Sequence, residues 1–328
     1  MKTRKLGKNG PDVSAISMGS RMAAENRNEW EATKKETIET LQYGIDSGIN
    51  FLNTADFYGM GMSELIIGEA IKDRRDKVFL SVKTGTLRDH KGRFLGLDGR
   101  PEAIKNFCAY SLTRLRVDEI DLYQPARIDP NVPIEETVGA IKDLIQEGKV
   151  RYLGLSEANA EQLKRAYKIH PVSALEIEYS LATRFIENEI LPAARELGVS
   201  VVPYSVLYYG FLTGNMNFPL PKNNYKSMFP RFQGENLEHN LKKLEFLKEM
   251  AKQKGVTAGQ LALAWALNQG EDIIPIVGMS KPQRVEENLQ ALDIEFTTEE
   301  MSNLNEAFKI GTIKGDRYPK ALQDMAAS

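Results

Sequence analysis

Short apolar runs alternate with longer stretches of helical periodicity along the chain. The runs are AISM (15–18), INFL (49–52), VFLSV (78–82), IDLY (120–123), RYLGL (151–155), SALEI (173–177), SVVP (200–203) and IIPI (273–276). Each has the length of a buried parallel strand. Segments 32–47, 63–73, 102–115, 134–147, 160–168, 187–197 and 240–254 carry the helical spacing between them. The runs at 174–180 and before Tyr204 lack a clean polar face, as strands covered on both sides do. Gly48, Gly148, Gly198 and Gly255 mark helix ends. Pro101 and Pro133 suit first-turn positions.

Strand–helix units repeated in one direction predict a closed (β/α)8 TIM barrel. An open doubly wound sheet is the competing architecture, but it would carry a glycine-rich GxGxxG turn after the first strand, where this chain reads GSRMAAEN. Residues 2–6 and a partner near 12–14 are expected to form a hairpin closing the bottom of the barrel. Residues 208–238, poor in periodicity, form a long insertion expected over the top face before the last strand. No linker or low-complexity tract divides the chain, so residues 1–328 are expected to form one domain.

Composition narrows the function. The 43 Lys and Arg against 45 Asp and Glu give a net charge of -2, which removes the electrostatic case for a nucleic-acid partner. No apolar run approaches the ~18 residues of a membrane span, and the N-terminus carries no secretory apolar stretch. The expectation is a cytoplasmic protein with no membrane partner. Cys108 is the single cysteine, and His90, His170 and His239 lack metal-ligand spacing, so no metal is expected. Oligomeric state is not encoded in these features.

In such a barrel the reactive groups sit at the carboxyl ends of the strands. The candidates are Gly19 to Arg21, Asn53, Asp56, Tyr58, Lys83, Gln124 to Arg127, Ser156, Glu157, Glu176, Tyr204, Ser205 and Gly278 to Lys281. Tyr58 and Lys83 form the most suggestive pair, because an ammonium beside a phenol stabilises the phenolate and lets it exchange protons near neutrality. The alternative is a solvated mouth lysine and a packing tyrosine. In IVGMSKPQRVEEN (276–288), Ser280 as a helix cap with Lys281 and Arg284 on the first turn would make a phosphate site. An ordinary capped surface helix is the competing reading there. His90 falls on the face that could reach a substrate, and His170 on the opposite one.

Together these residues resemble the aldo-keto reductase family. NTADFYG (53–59) with the following SE is similar to its D-T-A-x-x-Y-G signature, and VFLSVKTG (78–85) to its lysine strand. Residues 114–158 resemble its central signature, and PYSVLYYGFLTG (203–214), RFQGEN (231–236) and GMSKPQRVEEN (278–288) its cofactor-covering segments. The similarity runs from about residue 2 to residue 320, with RYPKAL included.

The resemblance implies an NADP(H)-dependent oxidoreductase moving a hydride between nicotinamide and a small carbonyl, alcohol or sugar-like substrate. Tyr58 matches the proton-transferring tyrosine and Lys83 its lysine, with Asn53 orienting Lys83. Gly19, Ser156, Glu176, Tyr204, Ser205, Leu207, Gly210, Gly278, Ser280, Lys281, Arg284, Glu287 and Asn288 fall on cofactor-contact positions. Among them Tyr204 would stack on the nicotinamide, Arg284 and Asn288 would hold the adenosine end, and Ser280 with Lys281 would lie near a 2′-phosphate.

Several positions depart from the family. Its lysine-pairing aspartate falls on Asn53, its histidine on Ala126 and its carboxamide-binding glutamine on Glu176. A backbone-approach glycine becomes Tyr208, an arginine Tyr209 and an aromatic Ala182. A buried lysine without a carboxylate must lose its proton or find another anion, and Glu176 is a candidate for that anion. If Lys83 stays charged, the phenolate of Tyr58 is favoured, which also suits a lyase or isomerase using Tyr58 as base. A nucleotide-binding pseudo-enzyme with a regulatory role is the third reading.

Overall fold

Eight short strands whose side chains alternate between two apolar environments generate the architecture. A computed structural model of the chain describes residues 1–20 and 30–320. The barrel strands are β3 (Ser17–Gly19), β4 (Phe51–Ala55), β5 (Phe79–Thr84), β8 (Ile120–Pro125), β9 (Val150–Ser156), β10 (Val172–Glu178), β11 (Ser200–Tyr204) and β12 (Ile276–Gly278). They pair in parallel in the order β11-β10-β9-β8-β5-β4-β3-β12. A parallel bridge between Val201 and Ile273 closes the cylinder, with the Ile274 N–H donating to the Val201 carbonyl at 2.9 Å. The expected (β/α)8 barrel is therefore present.

Two separate apolar clusters follow from the alternation. Outward residues such as Leu52, Leu80, Leu155, Leu175 and Val201 pack with the surrounding helices in the larger one. The smaller one fills the bottom of the barrel with Phe51, Phe79, Leu122, Ala174, Val202, Ile274 and Ile276. Leu6 and Val13, both fully buried, belong to that inner cluster. They lie on either side of the hairpin formed by β1 (Thr3–Lys5) and β2 (Asp12–Ser14), which closes the bottom as expected.

The helices are α1 (Trp30–Asp46), α2 (Met62–Ile71), α3 (Pro101–Leu115), α4 (Ile134–Gln146), α5 (Ala160–Ile169), α6 (Ile190–Leu197), α7 (Gly234–Lys254) and α8 (Ala258–Leu267) between the strands, with α9 (Pro282–Gln290) and α10 (Thr298–Ala307) after β12. Pro101 opens α3 as expected, whereas Pro133 is the N-cap of α4, one position earlier than a first-turn proline. Gly198 ends α6 in the left-handed region at φ 68°, where a Cβ would also sit 3.0 Å from that of Lys8. α8 escapes the periodicity reading because AGQLALAWAL is buried all round and has no polar face. A second hairpin, β6 (Thr86–Arg88) with β7 (Phe94–Leu97), also escapes it. The insertion contains short turns at Tyr208–Thr213, Tyr225–Met228 and Pro230–Phe232, held by ring contacts among Tyr208, Tyr209, Phe211, Phe218, Phe229 and Phe232. Among the described residues, no helix is long and apolar enough to cross a membrane.

If the hairpin seals the barrel floor, Leu6→Ala should cost about 2–5 kcal/mol, the range for emptying a packed leucine site. Lys5→Ala, on the exposed side of the same strand, should change stability by about 0.5 kcal/mol or less. Urea melts of the two variants compare them directly. Equal midpoints would mean that the plug is dispensable.

Candidate active site

Above the inner apolar layer the barrel interior turns polar. Asn53 on β4, Ser81 and Lys83 on β5, Gln124 on β8 and Glu176 on β10 all point inward, and all are buried. Lys83 Nζ donates to Asn53 Oδ1 at 2.5 Å and pairs with Glu176 Oε1 at 2.9 Å. Glu176 Oε2 accepts from Asn53 Nδ2 at 2.8 Å and from Gln124 Nε2 at 2.7 Å. Gly154 makes room for this layer, since a Cβ there would lie 2.7 Å from Gln124 Oε1.

Burial alone would lower the pKa of Lys83. The Glu176 charge and contact with the Tyr58 hydroxyl outweigh it, and the net movement is upward. Lys83 is therefore a stable ammonium, and its anion is Glu176. Asn53, which carries no charge, bridges the two by accepting from one and donating to the other.

Tyr58 lies in the turn between β4 and α2, with Lys83 Nζ 5.3 Å from its ring centroid. The Phe57 ring packs on it edge-on at 5.1 Å. Asp56, nearby, accepts from Thr84 Oγ1 at 2.7 Å, while its Oδ1 has no hydrogen-bond partner among the described residues. Burial pushes the Asp56 carboxyl up to about 7, against the lowering effect of Thr84.

Tyr58, Lys83, Asn53 and Glu176 line a cleft of about 1370 Å³ at the carboxyl ends of the strands. Gly19, Ser156, Tyr204, Ser205, Leu207, Gly210, Gly278, Ser280, Arg284, Glu287 and Asn288 line it too, as do Ala126 and His90. Ser156 Oγ is buried there without a hydrogen-bond partner among the described residues. Ser205 is held at φ 53°, a left-handed conformation that costs energy in a non-glycine residue.

At α9 the structure sets one candidate apart from the cleft and corrects the cap. Lys281 is not part of the cleft lining. It is largely exposed and faces Glu36, 3.7 Å away, because as the extended N-cap residue it points off the helix start. Ser280 does line the cleft, but it caps nothing, since Lys281 occupies the cap position and offers no side-chain cap. Arg21, another strand-end candidate, lies outside the described residues, as do Ala321 and Leu322 of the RYPKAL segment.

A second polar cluster was not legible beforehand. Arg317, near the C-terminus, donates from Nη2 to Glu157 Oε1 at 2.6 Å and from Nε to Glu178 Oε2 at 2.5 Å. The Tyr204 hydroxyl donates to Glu157 Oε1 at 2.9 Å and meets that of Tyr318 at 2.8 Å. Burial opposes ionisation of Glu157, but Arg317 and Arg127 hold its carboxyl below the usual value. Tyr204, cleft-facing, is thereby tethered through its hydroxyl. Glu157 was one of the strand-end candidates, but nothing in the sequence pairs it with an arginine 160 positions away.

A model described as the aldo/keto reductase family matches residues 15–309. The chain is 41% identical over 320 residues to a probable aldo-keto reductase 1 of Glycine max, covering 97% of this chain and 92% of that protein. The glycerol dehydrogenase of Gluconobacter oxydans superposes with a TM-score of 0.85 at 30% identity, over 93% of this chain and 94% of that one. An aldo/keto reductase of Klebsiella pneumoniae, solved with NADP and acetate, matches at 0.75 and 25% identity, over 97% and 99% of the two chains.

Asp56 gives this site a pH signature in stability. Its folded value of about 7 exceeds the unfolded 3.8, so the folded state binds the proton more tightly. The stabilisation is complete below the unfolded value and is lost as pH rises through about 7. Asp56→Asn should therefore raise the melting temperature by several degrees at pH 8 and by little at pH 4. An identical offset at both pH values in thermal melts would rule this out.

Proposed function

This chain belongs to the aldo/keto reductase family and is an oxidoreductase of that type, and from that premise we propose that it catalyses NADP(H)-dependent interconversion of a small carbonyl compound and its alcohol. The observation that carries the reading is the Tyr58–Lys83 pair, seated on a buried carboxylate at the floor of a long cleft.

The cleft fits the dinucleotide. Ser156 offers a buried hydroxyl in want of a partner, suited to the nicotinamide carboxamide. The N-terminus of α9 has no side-chain cap, and Gly278, Ser280 and Arg284 beside it line the cleft, a combination suited to phosphate. Asn288 and Glu287 lie further along the same helix for the adenosine end, and Ser205, Leu207 and Gly210 belong to the segment that would cover the pyrophosphate. Gly19 leaves the floor clear, and Tyr204 presents a tethered ring. When bound, NADPH would supply the hydride for the carbonyl carbon.

Tyr58 supplies the matching proton to the carbonyl oxygen, which yields the alcohol. In the reverse direction Tyr58 accepts it. Lys83 stabilises the phenolate left behind. Asn53 fixes the lysine, and Glu176 keeps it charged. Glu176 has thus exchanged a cofactor contact for a role beneath the lysine. The two departures from the family pattern are one exchange, with amide at 53 and carboxylate at 176 in place of the reverse. Ala126 adds no donor at the carbonyl oxygen, so proton transfer rests on Tyr58 alone.

NADPH absorbance followed across a panel of aldehydes and ketones tests the activity. Product formed without change in that absorbance would replace the reading by elimination or isomerisation at Tyr58. The charge exchange makes a sharper prediction. Glu176→Gln strands the ammonium, and Asn53→Asp sets two carboxylates against each other, so each should lower kcat by about 100–1,000-fold, the scale for losing one preorganised electrostatic group. The double variant restores one charge in the same layer and should recover to within about tenfold of wild type by the logic of coupled sites. Additive losses would disprove the exchange.

A further inference from the structure

One guanidinium from beyond the barrel binds the ends of three neighbouring strands. Arg317 follows the last helix and lies past residue 309, where the family match ends. Its Nη2 donates to Glu157 Oε1 at 2.6 Å and to the Tyr204 hydroxyl at 3.0 Å, and its Nε donates to Glu178 Oε2 at 2.5 Å. Glu157 directly follows β9, Glu178 ends β10 and Tyr204 ends β11. The next residue, Tyr318, sets its hydroxyl 2.8 Å from that of Tyr204. Because the Tyr204 hydroxyl donates to Glu157 at 2.9 Å, it accepts from Arg317 and from Tyr318. One donor and two lone pairs are all that a phenol hydroxyl has. That hydroxyl is saturated, so the task of Tyr204 lies in its ring, which packs on the inner apolar cluster and lines the cleft.

The same bonds run to the reactive lysine. The Glu157 N–H donates to the Glu176 carbonyl at 2.9 Å, and Glu176 is the carboxylate paired with Lys83. Ser156, the residue before Glu157, lines the cleft together with Tyr204. Glu157 itself stands at φ 54°, a conformation that persists only where its surroundings impose it. Its carboxylate accepts from Arg317, from Tyr204 and from the Glu178 N–H at 3.1 Å, and those bonds impose it here. Through Glu157, Arg317 holds both a hydroxyl and an aromatic face of the cleft wall.

We propose that Arg317, with Tyr318, is a positioning residue for the nicotinamide half of the cofactor, fixing the Tyr204 ring and the Ser156 hydroxyl against which that half is seated. This rests on the dinucleotide reading of the cleft and adds to it a residue from outside the matched family segment. A planar fork of donors reaches two carboxylates and a hydroxyl at once, which the compact charge of a lysine does not. A wall set in place before the cofactor arrives lowers the ordering cost of binding. The adenosine end lies along α9 and takes no part in this cluster.

The test is isothermal titration with NADPH and with 2′,5′-ADP, which has the adenosine end and its phosphates but no nicotinamide. Arg317→Lys keeps a charge beside Glu157 and Glu178 and loses the fork. It should raise the Kd for NADPH about tenfold, the scale of one hydrogen bond to a charged group, and that for 2′,5′-ADP by less than about twofold. Tyr204→Phe, which keeps the ring and removes only its hydroxyl, should shift NADPH in the same direction by about threefold to tenfold, again sparing 2′,5′-ADP. Thermal melts show whether each variant is folded, and Tyr204→Phe decides the matter if Arg317→Lys is not. Equal weakening of both ligands would assign the cluster a structural role alone, and an unchanged NADPH affinity would make the tether idle; either result overturns the proposal. If the unsubstituted protein binds neither ligand, the dinucleotide reading falls and takes the proposal with it.

Discussion

An ammonium buried inside the barrel, at the floor of the cleft, is the constraint from which the site is built. Removing Lys83 from water costs several kcal/mol unless a charge of opposite sign and good geometry compensates. Asn53, at the position expected to hold that charge, has none. Glu176 supplies it at 2.9 Å from across the interior, and Asn53 is an amide that satisfies both partners. A carboxylate at both positions would crowd two negative charges, and at neither would strand the lysine. One carboxylate and one amide is the stable solution, and here the carboxylate stands at 176 and the amide at 53.

That solution works only because strand alternation places every member of the layer on the inside. Asn53, Lys83, Gln124 and Glu176 come from four different strands, and neighbouring strands hold matched registers, with Lys83 opposite both Ala55 and Gln124. A slip of one residue in any strand would turn its contributor outward into the helical shell. Beneath the layer, Leu6 and Val13 complete an apolar plug that shuts water out from below. The charges above it act in a medium of reduced dielectric, where each interaction is stronger than it would be in water.

The repeated strand–helix rhythm, the lower hairpin and the irregular insertion were all readable from sequence, because each rests on local pattern. Tyr58, Lys83 and Asn53 were legible as candidates for one cleft, since they sit at or near strand ends. α8 was not, because a helix buried on every side has no period to detect. Hairpin β6–β7 was missed because its strands are short, and β7 is partly exposed. The pairing of Lys83 with Glu176 was visible only as a candidate, because the distance across a barrel is not encoded in separation along the chain. At Lys281 the sequence does not show the direction of the side chain: its neighbours line the cleft, while Lys281, the N-cap residue, faces Glu36.

The C-terminal cluster holds the Tyr204 side chain in place. Glu157 adopts a left-handed conformation at φ 54°, a strained state for a residue with a side chain, immediately after β9. Its carboxylate gathers the Tyr204 hydroxyl and Arg317, and Arg317 reaches on to Glu178 at the end of β10. The last described segment is thereby tied to the ends of three strands, with Tyr318 and Pro319 forming part of the cleft wall. The cleft therefore has two ionic clusters, one holding Lys83 beside the Tyr58 ring and the other tethering the Tyr204 hydroxyl.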